Sequence, residues 1–239
     1  EVIIPAPYWV SYPDMVLASD GVPVTVPCPE ADGFKLTPAQ LEAAITPRTR
    51  WLLLNSPSNP TGASYSADEY RALAEVLARH PQVLVMTDDI YEHIRFDGGS
   101  TPHLLQAAPA LRERTAAVNG VSKTYAMTGW RIGWVAAPRD LIQALDTMLS
   151  QSSGNCCSVS QAAAAAALNG DQAFVAESVA IYRQRRDRTL AQLNAIPGLS
   201  CRRPEGAFYL YVNCSGLIGK ATAEGLTLAD ALAGLAPRP

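Results

Sequence analysis

The stretch VNGVSKTYAMTGWRIGW, residues 118–134, decides the fold and the chemistry that this chain can support. The apolar run 115–118 and the run 132–136 both have the pattern of short buried strands. Lys123 follows the first of these strands, and Arg131 lies eight residues further along the chain. A lysine amine can bind an aldehyde covalently, and a planar, permanently charged guanidinium binds phosphate well. The stretch therefore predicts a site for an aldehyde cofactor that carries a phosphate.

Short apolar runs alternate with helical patterns along the chain, which predicts an α/β fold with a mostly parallel central sheet sandwiched by helices. Capping boxes at Thr37 and Ser66 predict two helices that end near Ile45 and His80. We predict strands at 2–4, 22–26, 51–54, 83–87, 115–118 and 132–136, and further helices at 138–150, 161–168 and 171–194.

The character of the sequence changes after the long helical pattern. Residues 197–212, PGLSCRRPEGAFYLYV, have the pattern of a turn, a strand, a second turn and a second strand. We therefore predict a large domain over residues 1–187 and part of a small α+β domain over residues 188–239. The start EVIIP resembles a strand already in progress, and LADALAGLAPRP at 228–239 stops just after a helical pattern. We expect an internal fragment of a longer protein, lacking both ends.

Composition argues against several classes of function. The net charge is −3 and no run is rich in Lys and Arg, which argues against a nucleic-acid binder. The sequence contains no stretch of ~20 apolar residues, so we predict no membrane-spanning helix. The five cysteines lack a CxxC motif and the three histidines lack an HExxH motif, so we expect no metal site and a reduced, cytoplasmic protein.

Three polar clusters follow predicted strands: 55–62, 88–91 and 119–124. Each has an ordinary explanation when it is considered by itself: a turn, the start of a helix, or a solvated lysine. Ligands of open α/β sheets, however, bind beyond the carboxyl ends of the strands. The common placement of the clusters therefore favours one shared site.

The same segments resemble a known family. NSPSNPTG (55–62), TDDIYEHI (87–94) and NGVSKTYAMTGWRIGW (119–134) resemble the class I and II aminotransferases, which are pyridoxal-phosphate enzymes of fold type I. PYWVSYPDM (7–15) matches the same family. The resemblance covers most of residues 1–212 and is closest to bacterial aspartate aminotransferases of the branch that includes aspartate/prephenate aminotransferases.

The resemblance implies a role for each of five residues around the cofactor ring. Lys123 would bind the cofactor covalently and then move a proton at the substrate. Asp88, selected over its neighbour by the D-x-x-Y spacing, would pair with the pyridine nitrogen. Tyr91 and Asn59 would donate hydrogen bonds to the ring oxygen, and Trp9 would stack on the ring. Asn59 and Trp9 would also contact the substrate.

The resemblance also implies a phosphate site. Arg131 would bind the phosphate, with Ser122 as a helper. Gly120 departs from many relatives, which have serine at this position. The family's glycine-rich phosphate turn, the tyrosine that reaches the neighbouring subunit and the arginine that binds the substrate α-carboxylate have no counterparts in residues 1–239.

The function implied is transfer of an amino group from an L-amino acid, aspartate as the first choice, to a 2-oxo acid such as 2-oxoglutarate, in a homodimer. Two alternatives stay open. One is another pyridoxal-phosphate enzyme of the same fold, such as an aromatic or alanine-type aminotransferase or a β-lyase. The other is an inactive truncated chain.

Overall fold

A six-stranded sheet forms the centre of the computed structural model, which describes residues 1–98, 101–221, 225 and 227. The strands lie in the order β2-β1-β3-β4-β5-β6; the first five are parallel, and β6 is antiparallel to β5. The strands are β1 Val2–Ala6, β2 Pro23–Pro27, β3 Trp51–Asn55, β4 Leu84–Asp88, β5 Thr115–Gly120 and β6 Gly133–Ala136. The predicted α/β fold with a mostly parallel sheet is confirmed.

Helices connect most of the strands. They are α1 Ser11–Leu17, α2 Pro38–Ala44, α3 Ala67–Ala78, α4 Leu104–Ala107, α5 Arg139–Gln151, α6 Ser158–Asn169 and α7 Ala173–Asn194. The predicted capping boxes both form: Gln40 N–H donates to the Thr37 side chain at 3.3 Å, and Glu69 N–H donates to the Ser66 side chain at 3.2 Å. The sequence prediction did not include α1 and α4.

The sheet buries side chains on both of its faces, as strands covered on two sides do. Leu52 and Leu54 of β3 pack in one apolar cluster with residues of α3 such as Leu73. Leu53, which points the other way, packs with Ile4 and with Tyr12 of α1. Burial of both faces explains why the central strand β3 is a continuous apolar run, whereas the edge strands β2 and β6 keep exposed residues.

A two-stranded antiparallel sheet, β7 Ser200–Cys201 and β8 Val212–Asn213, follows α7. The predicted domain boundary after residue 187 falls inside α7, which continues to Asn194. The division into 1–187 and 188–239 stays a prediction. The helical pattern predicted at 228–239 lies outside the described residues.

Candidate active site

The three predicted polar clusters lie along one edge of the sheet. In the pairing register, Asn55 at the end of β3 is opposite Asp88 at the end of β4, and Asp88 is opposite Val118 of β5. Asn119 and Gly120 end β5, and Lys123 follows three residues later. Because β3, β4 and β5 are parallel, their carboxyl ends bring these segments together.

A cavity of about 300 Å³ lies at this edge. The residues that line it include all seven candidates from the sequence, together with five others. The candidates are Trp9, Asn59, Asp88, Tyr91, Ser122, Lys123 and Arg131; the others are Tyr12, Asn55, Ile90, Thr128 and Tyr209. Its size is at the lower end for a small-molecule site.

Asp88 is held by two hydrogen bonds. Tyr12 donates its hydroxyl to Asp88 Oδ2 at 2.6 Å, and the Ile90 N–H donates to Oδ1 at 3.3 Å. Burial raises the pKa of Asp88 above its ordinary value, although the Tyr12 hydrogen bond and the charge of Lys123 oppose this shift. A buried carboxylate of this kind gains stability from a cation in the cavity.

Asn55 connects β4 to the loop that carries Asn59. Its side-chain amide donates to the backbone oxygen of Asp88 at 2.8 Å, and its side-chain oxygen accepts the Asn59 N–H at 2.7 Å. The Asn59–Pro60 peptide bond is cis. One side chain at the end of β3 therefore positions both the Asp88 backbone and the start of the Asn59 turn.

Tyr91 is buried, with its hydroxyl 2.6 Å from the hydroxyl of Tyr209. The two rings are edge to face, with centroids 5.7 Å apart, and Phe208 makes a similar contact with Tyr91. Burial and the Tyr209 hydroxyl raise the pKa of Tyr91. Tyr91 therefore remains a protonated hydroxyl that can donate one hydrogen bond.

The loop after β5 places an amine and a guanidinium at the cavity. Within the described residues, the Lys123 amine forms neither a hydrogen bond nor an ion pair. Thr128 donates its hydroxyl to the Ser122 backbone oxygen at 3.0 Å, and Arg131 Nη1 donates to the Thr128 backbone oxygen at 3.0 Å. Arg131 has a left-handed backbone with φ of 56°. This turn lets one short loop place Ser122, Lys123 and Arg131 at the same cavity.

Gly120 lies where β5 pairs closely with β6. A Cβ atom at this position would lie 2.9 Å from the backbone oxygen of Ile132 and 3.2 Å from Gly133 Cα. A serine here would therefore require the two strands to shift. Glycine at position 120 therefore suits the close approach of this strand pair.

Asp89 points away from the cavity, into a separate buried network. Thr87 donates its hydroxyl to Asp89 Oδ2 at 2.7 Å, and His103 Nε2 lies 2.9 Å from the same oxygen. His103 Nδ1 accepts the Leu105 N–H at 3.2 Å, so Nε2 carries the proton that Asp89 accepts. The two adjacent aspartates thus have different surroundings, and Asp88 is the one at the cavity.

We expect the network of Asp89 and His103 to make stability depend on pH. The hydrogen bond with Asp89 raises the pKa of His103, with burial opposing it. Because the folded state binds the proton more tightly, the stabilisation is complete below the unfolded pKa of about 6.5 and is lost as pH rises through the raised folded pKa. Urea unfolding at several pH values gives the free energy of unfolding of the full-length protein and of His103→Asn, whose side chain can still cap α4. A free-energy difference between the two proteins that is the same from pH 5.5 to pH 9 would contradict it.

Tyr12, Asn55 and Tyr209 are among the residues that contact the candidates but were not themselves predicted as site residues. Tyr12 lies in the first turn of α1, three residues after Trp9, which stands just before the helix, so recognition of α1 would have found it. Asn55 stands at the end of a predicted strand, which is a usable signal. Tyr209 is separated from Tyr91 by 118 residues, and no local pattern connects them.

Among the described residues, no helix is long and apolar enough to cross a membrane. The described residues also contain no group of three or more His, Cys, Asp or Glu side chains arranged to bind a metal ion.

Comparison with known sequences identifies relatives over nearly the whole chain. The family model described as "Aminotransferase class I and II" matches residues 1–233. The chain is 56% identical over 230 residues to the aspartate/prephenate aminotransferase of Cereibacter sphaeroides, covering 96% of this chain and 58% of that protein. It is 56% identical over 225 residues to an aspartate aminotransferase of Rhizobium meliloti, covering 94% of this chain and 55% of the relative.

Solved structures agree with these relatives. The aspartate aminotransferase structure from Rhizobium meliloti has a TM-score of 0.94 at 53% identity, covering 98% of this chain and 59% of that one. The aspartate aminotransferase of Thermus thermophilus with maleate has a TM-score of 0.84 at 39% identity, covering 91% of this chain and 56% of that one. The chain thus spans less than two thirds of the length of these relatives. It belongs to the class I and II aminotransferases, a family of pyridoxal-phosphate-dependent enzymes with the fold-type-I architecture.

Proposed function

We propose that this chain forms the cofactor-binding part of an aminotransferase that moves an amino group from L-aspartate to a 2-oxo acid such as 2-oxoglutarate. The observation that carries the proposal is the convergence of seven residues at one cavity. They come from the segment just before α1, the Asn59 turn, the end of β4 with the turn that follows it, and the loop after β5.

The side chains at the cavity fit pyridoxal phosphate group by group. The cofactor has an aldehyde, a basic ring nitrogen, an acidic ring oxygen and a phosphate. Lys123 supplies an amine for the aldehyde, and Asp88 supplies a buried carboxylate for the ring nitrogen. Tyr91 supplies a hydroxyl donor for the ring oxygen, and Arg131 a guanidinium for the phosphate.

Each of these side chains would have a defined task. Bound cofactor would supply an electron-accepting ring next to the substrate Cα. Asp88, which Tyr12 and the Ile90 N–H hold in place, would keep the ring nitrogen protonated. The Lys123 amine would take the proton from the substrate Cα and deliver it to C4′ of the cofactor. Trp9, which is 42% exposed and contacts Tyr12 edge to face, presents a ring face on which the cofactor would stack.

Two more residues complete the proposed site. Asn59 would donate to the ring oxygen beside Tyr91 and would contact the substrate. Ser122, whose backbone oxygen is fixed by Thr128, would assist Arg131 at the phosphate. The proposed substrate pair follows the relatives, whose names specify aspartate or aspartate and prephenate.

A direct assay of the full-length protein tests the proposed function. With pyridoxal phosphate, L-aspartate and 2-oxoglutarate, we expect oxaloacetate and glutamate in equal amounts. L-Phenylalanine and L-alanine are the comparison donors. Faster turnover of one of these, or release of pyruvate with ammonia from L-cystathionine, which carries a leaving group on Cβ, would contradict the aspartate assignment in favour of another reaction on this fold. The 239-residue chain in the same assay tests the alternative of an inactive truncated chain.

Assembly, location and domain division are further parts of the proposal. We propose a cytoplasmic homodimer with a large domain over residues 1–187 and a small domain over residues 188–239. Family membership supports the homodimer and the cytoplasm, and the separate small sheet after α7 supports the division. Sedimentation of the full-length protein at the mass of two chains is the expected result.

A further inference from the structure

Residues 204–209 return from the small sheet to the cavity and are fixed on the loop that carries Asn59. The N–H groups of Glu205 and Gly206 both donate to the Gly62 backbone oxygen at 2.9 Å. The Ser64 N–H donates to the Glu205 carboxylate at 2.7 Å. Three hydrogen bonds therefore hold this segment against the Asn59 loop.

The same segment is also fixed on the loop that carries Tyr91. The Ala207 N–H donates to the Ile94 backbone oxygen at 2.8 Å, and the Phe96 N–H donates to the Glu205 backbone oxygen at 2.9 Å. A Cβ atom on Gly206 would lie 2.6 Å from a Pro57 side-chain carbon and 2.7 Å from the Ile94 oxygen. The segment thus fits tightly between the two loops, and this position brings Tyr209 to the cavity.

The contact between Tyr209 and Tyr91 can be arranged in two ways. Their hydroxyl oxygens are 2.6 Å apart, and each hydroxyl has one proton to donate. If Tyr91 donates to Tyr209, Tyr91 has no proton left for a ligand. If Tyr209 donates to Tyr91, the Tyr91 proton remains available to an acceptor in the cavity.

We propose that Tyr209 is a positioning residue that donates its proton to the Tyr91 oxygen and so directs the Tyr91 proton towards the anionic ring oxygen of the bound cofactor. This inference rests on the proposed function, which places that oxygen in the cavity. An anion at the end of a series of hydrogen bonds favours the arrangement in which every donor points towards that anion. Each hydrogen bond in the series then strengthens the next. Tyr209 acts through Tyr91 and does not contact the reacting atoms.

The visible absorbance of the bound cofactor changes with pH. The pH at which half of this change has occurred, the midpoint, reports on the hydrogen bonds from Tyr209 to Tyr91 and from Tyr91 to the ring oxygen. A hydrogen bond from Tyr91 stabilises negative charge on the ring oxygen. When that bond weakens, the oxygen holds the proton of the lysine–cofactor bond more strongly, so the midpoint moves to higher pH. We expect Tyr209→Phe in the full-length protein to raise the midpoint by about half a unit, and Tyr91→Phe to raise it by about one unit or more.

A matched control and a double variant separate positioning from a general structural effect. Tyr211 lies two residues further on and packs edge to face against Phe34, so Tyr211→Phe should leave the midpoint unchanged. Adding Tyr209→Phe to Tyr91→Phe should produce no further shift, because Tyr209 acts only through Tyr91.

Three results would overturn the proposal. One is a midpoint that stays unchanged in Tyr209→Phe although it shifts in Tyr91→Phe. Another is a Tyr209→Phe shift of the same size in the unmodified protein and in the Tyr91→Phe variant. In both cases the proposed function stands and the positioning role fails. The third is no cofactor absorbance in the unmodified protein, which would reject the proposed function and this inference together.

Discussion

Replacing Lys123 with alanine is expected to abolish the visible absorbance of bound cofactor and to lower the rate of amino transfer by about 10⁴-fold. The amine lies at the cavity beside Asp88 and forms no hydrogen bond or ion pair with any other described residue. Its loss would remove both the covalent anchor of the cofactor and the base that moves the proton at Cα. Absorbance spectra and initial rates of the full-length protein measure the two losses separately.

The chain contains a suitable control for this prediction. Its three lysines are Lys35, Lys123 and Lys220. Lys220 is exposed, so Lys220→Ala should keep both the absorbance and the rate, whereas Lys35 forms an ion pair with Glu69 and is less suitable. Retention of the visible absorbance by Lys123→Ala would refute the assignment of the covalent anchor.

Replacing Asp88 with asparagine is expected to lower the rate of amino transfer by about 10³-fold, the second largest effect in this account. An amide has no charge to keep a ring nitrogen protonated, although it is nearly the same size as a carboxylate. The amide oxygen of the new side chain would still accept the hydroxyl of Tyr12 but not also the Ile90 N–H, so we expect the fold to be kept with a loss of about 1 kcal/mol of stability. The rate with aspartate and 2-oxoglutarate, compared with the thermal unfolding temperature, separates chemistry from stability.

Asp89 provides the matched variant. Its carboxylate accepts hydrogen bonds from Thr87 and His103 in the buried network away from the cavity. Asp89→Asn should therefore destabilise the fold by about 1–3 kcal/mol while the rate stays near that of the unmodified protein. The opposite outcome, a large rate loss in Asp89→Asn and a small one in Asp88→Asn, would show that the wrong aspartate has been assigned.

The central strand β3 could be predicted from the sequence because it is buried on both faces. Leu52, Leu53 and Leu54 form a continuous apolar run, and neither face of β3 is exposed to solvent to interrupt it. Helix α1 escaped prediction because no side chain caps its start, whereas α2, which is equally short, is preceded by a capping box. Its structure comes from packing Tyr12 against Ile4 and Leu53, which a local pattern does not reveal.

The site was predictable to the extent that its residues follow strand ends. Asn59, Asp88, Tyr91 and Lys123 come after three neighbouring parallel strands, so a single rule about sheet edges places them together. Tyr209 belongs to a segment that reaches the cavity only through its contacts with Gly62 and Ile94. These contacts depend on how a distant part of the chain folds back, which spacing within the sequence does not specify.

We propose that Lys123 binds the cofactor covalently in the cavity at the carboxyl edge of the sheet. The most direct measurement is borohydride reduction of the full-length protein with pyridoxal phosphate, which makes the lysine–cofactor bond permanent, followed by digestion and mass analysis of the peptides. We predict the added cofactor mass on the peptide that contains Lys123 and on neither of the peptides that contain Lys35 and Lys220. Added mass on one of those two lysines, or on no peptide, would contradict the account.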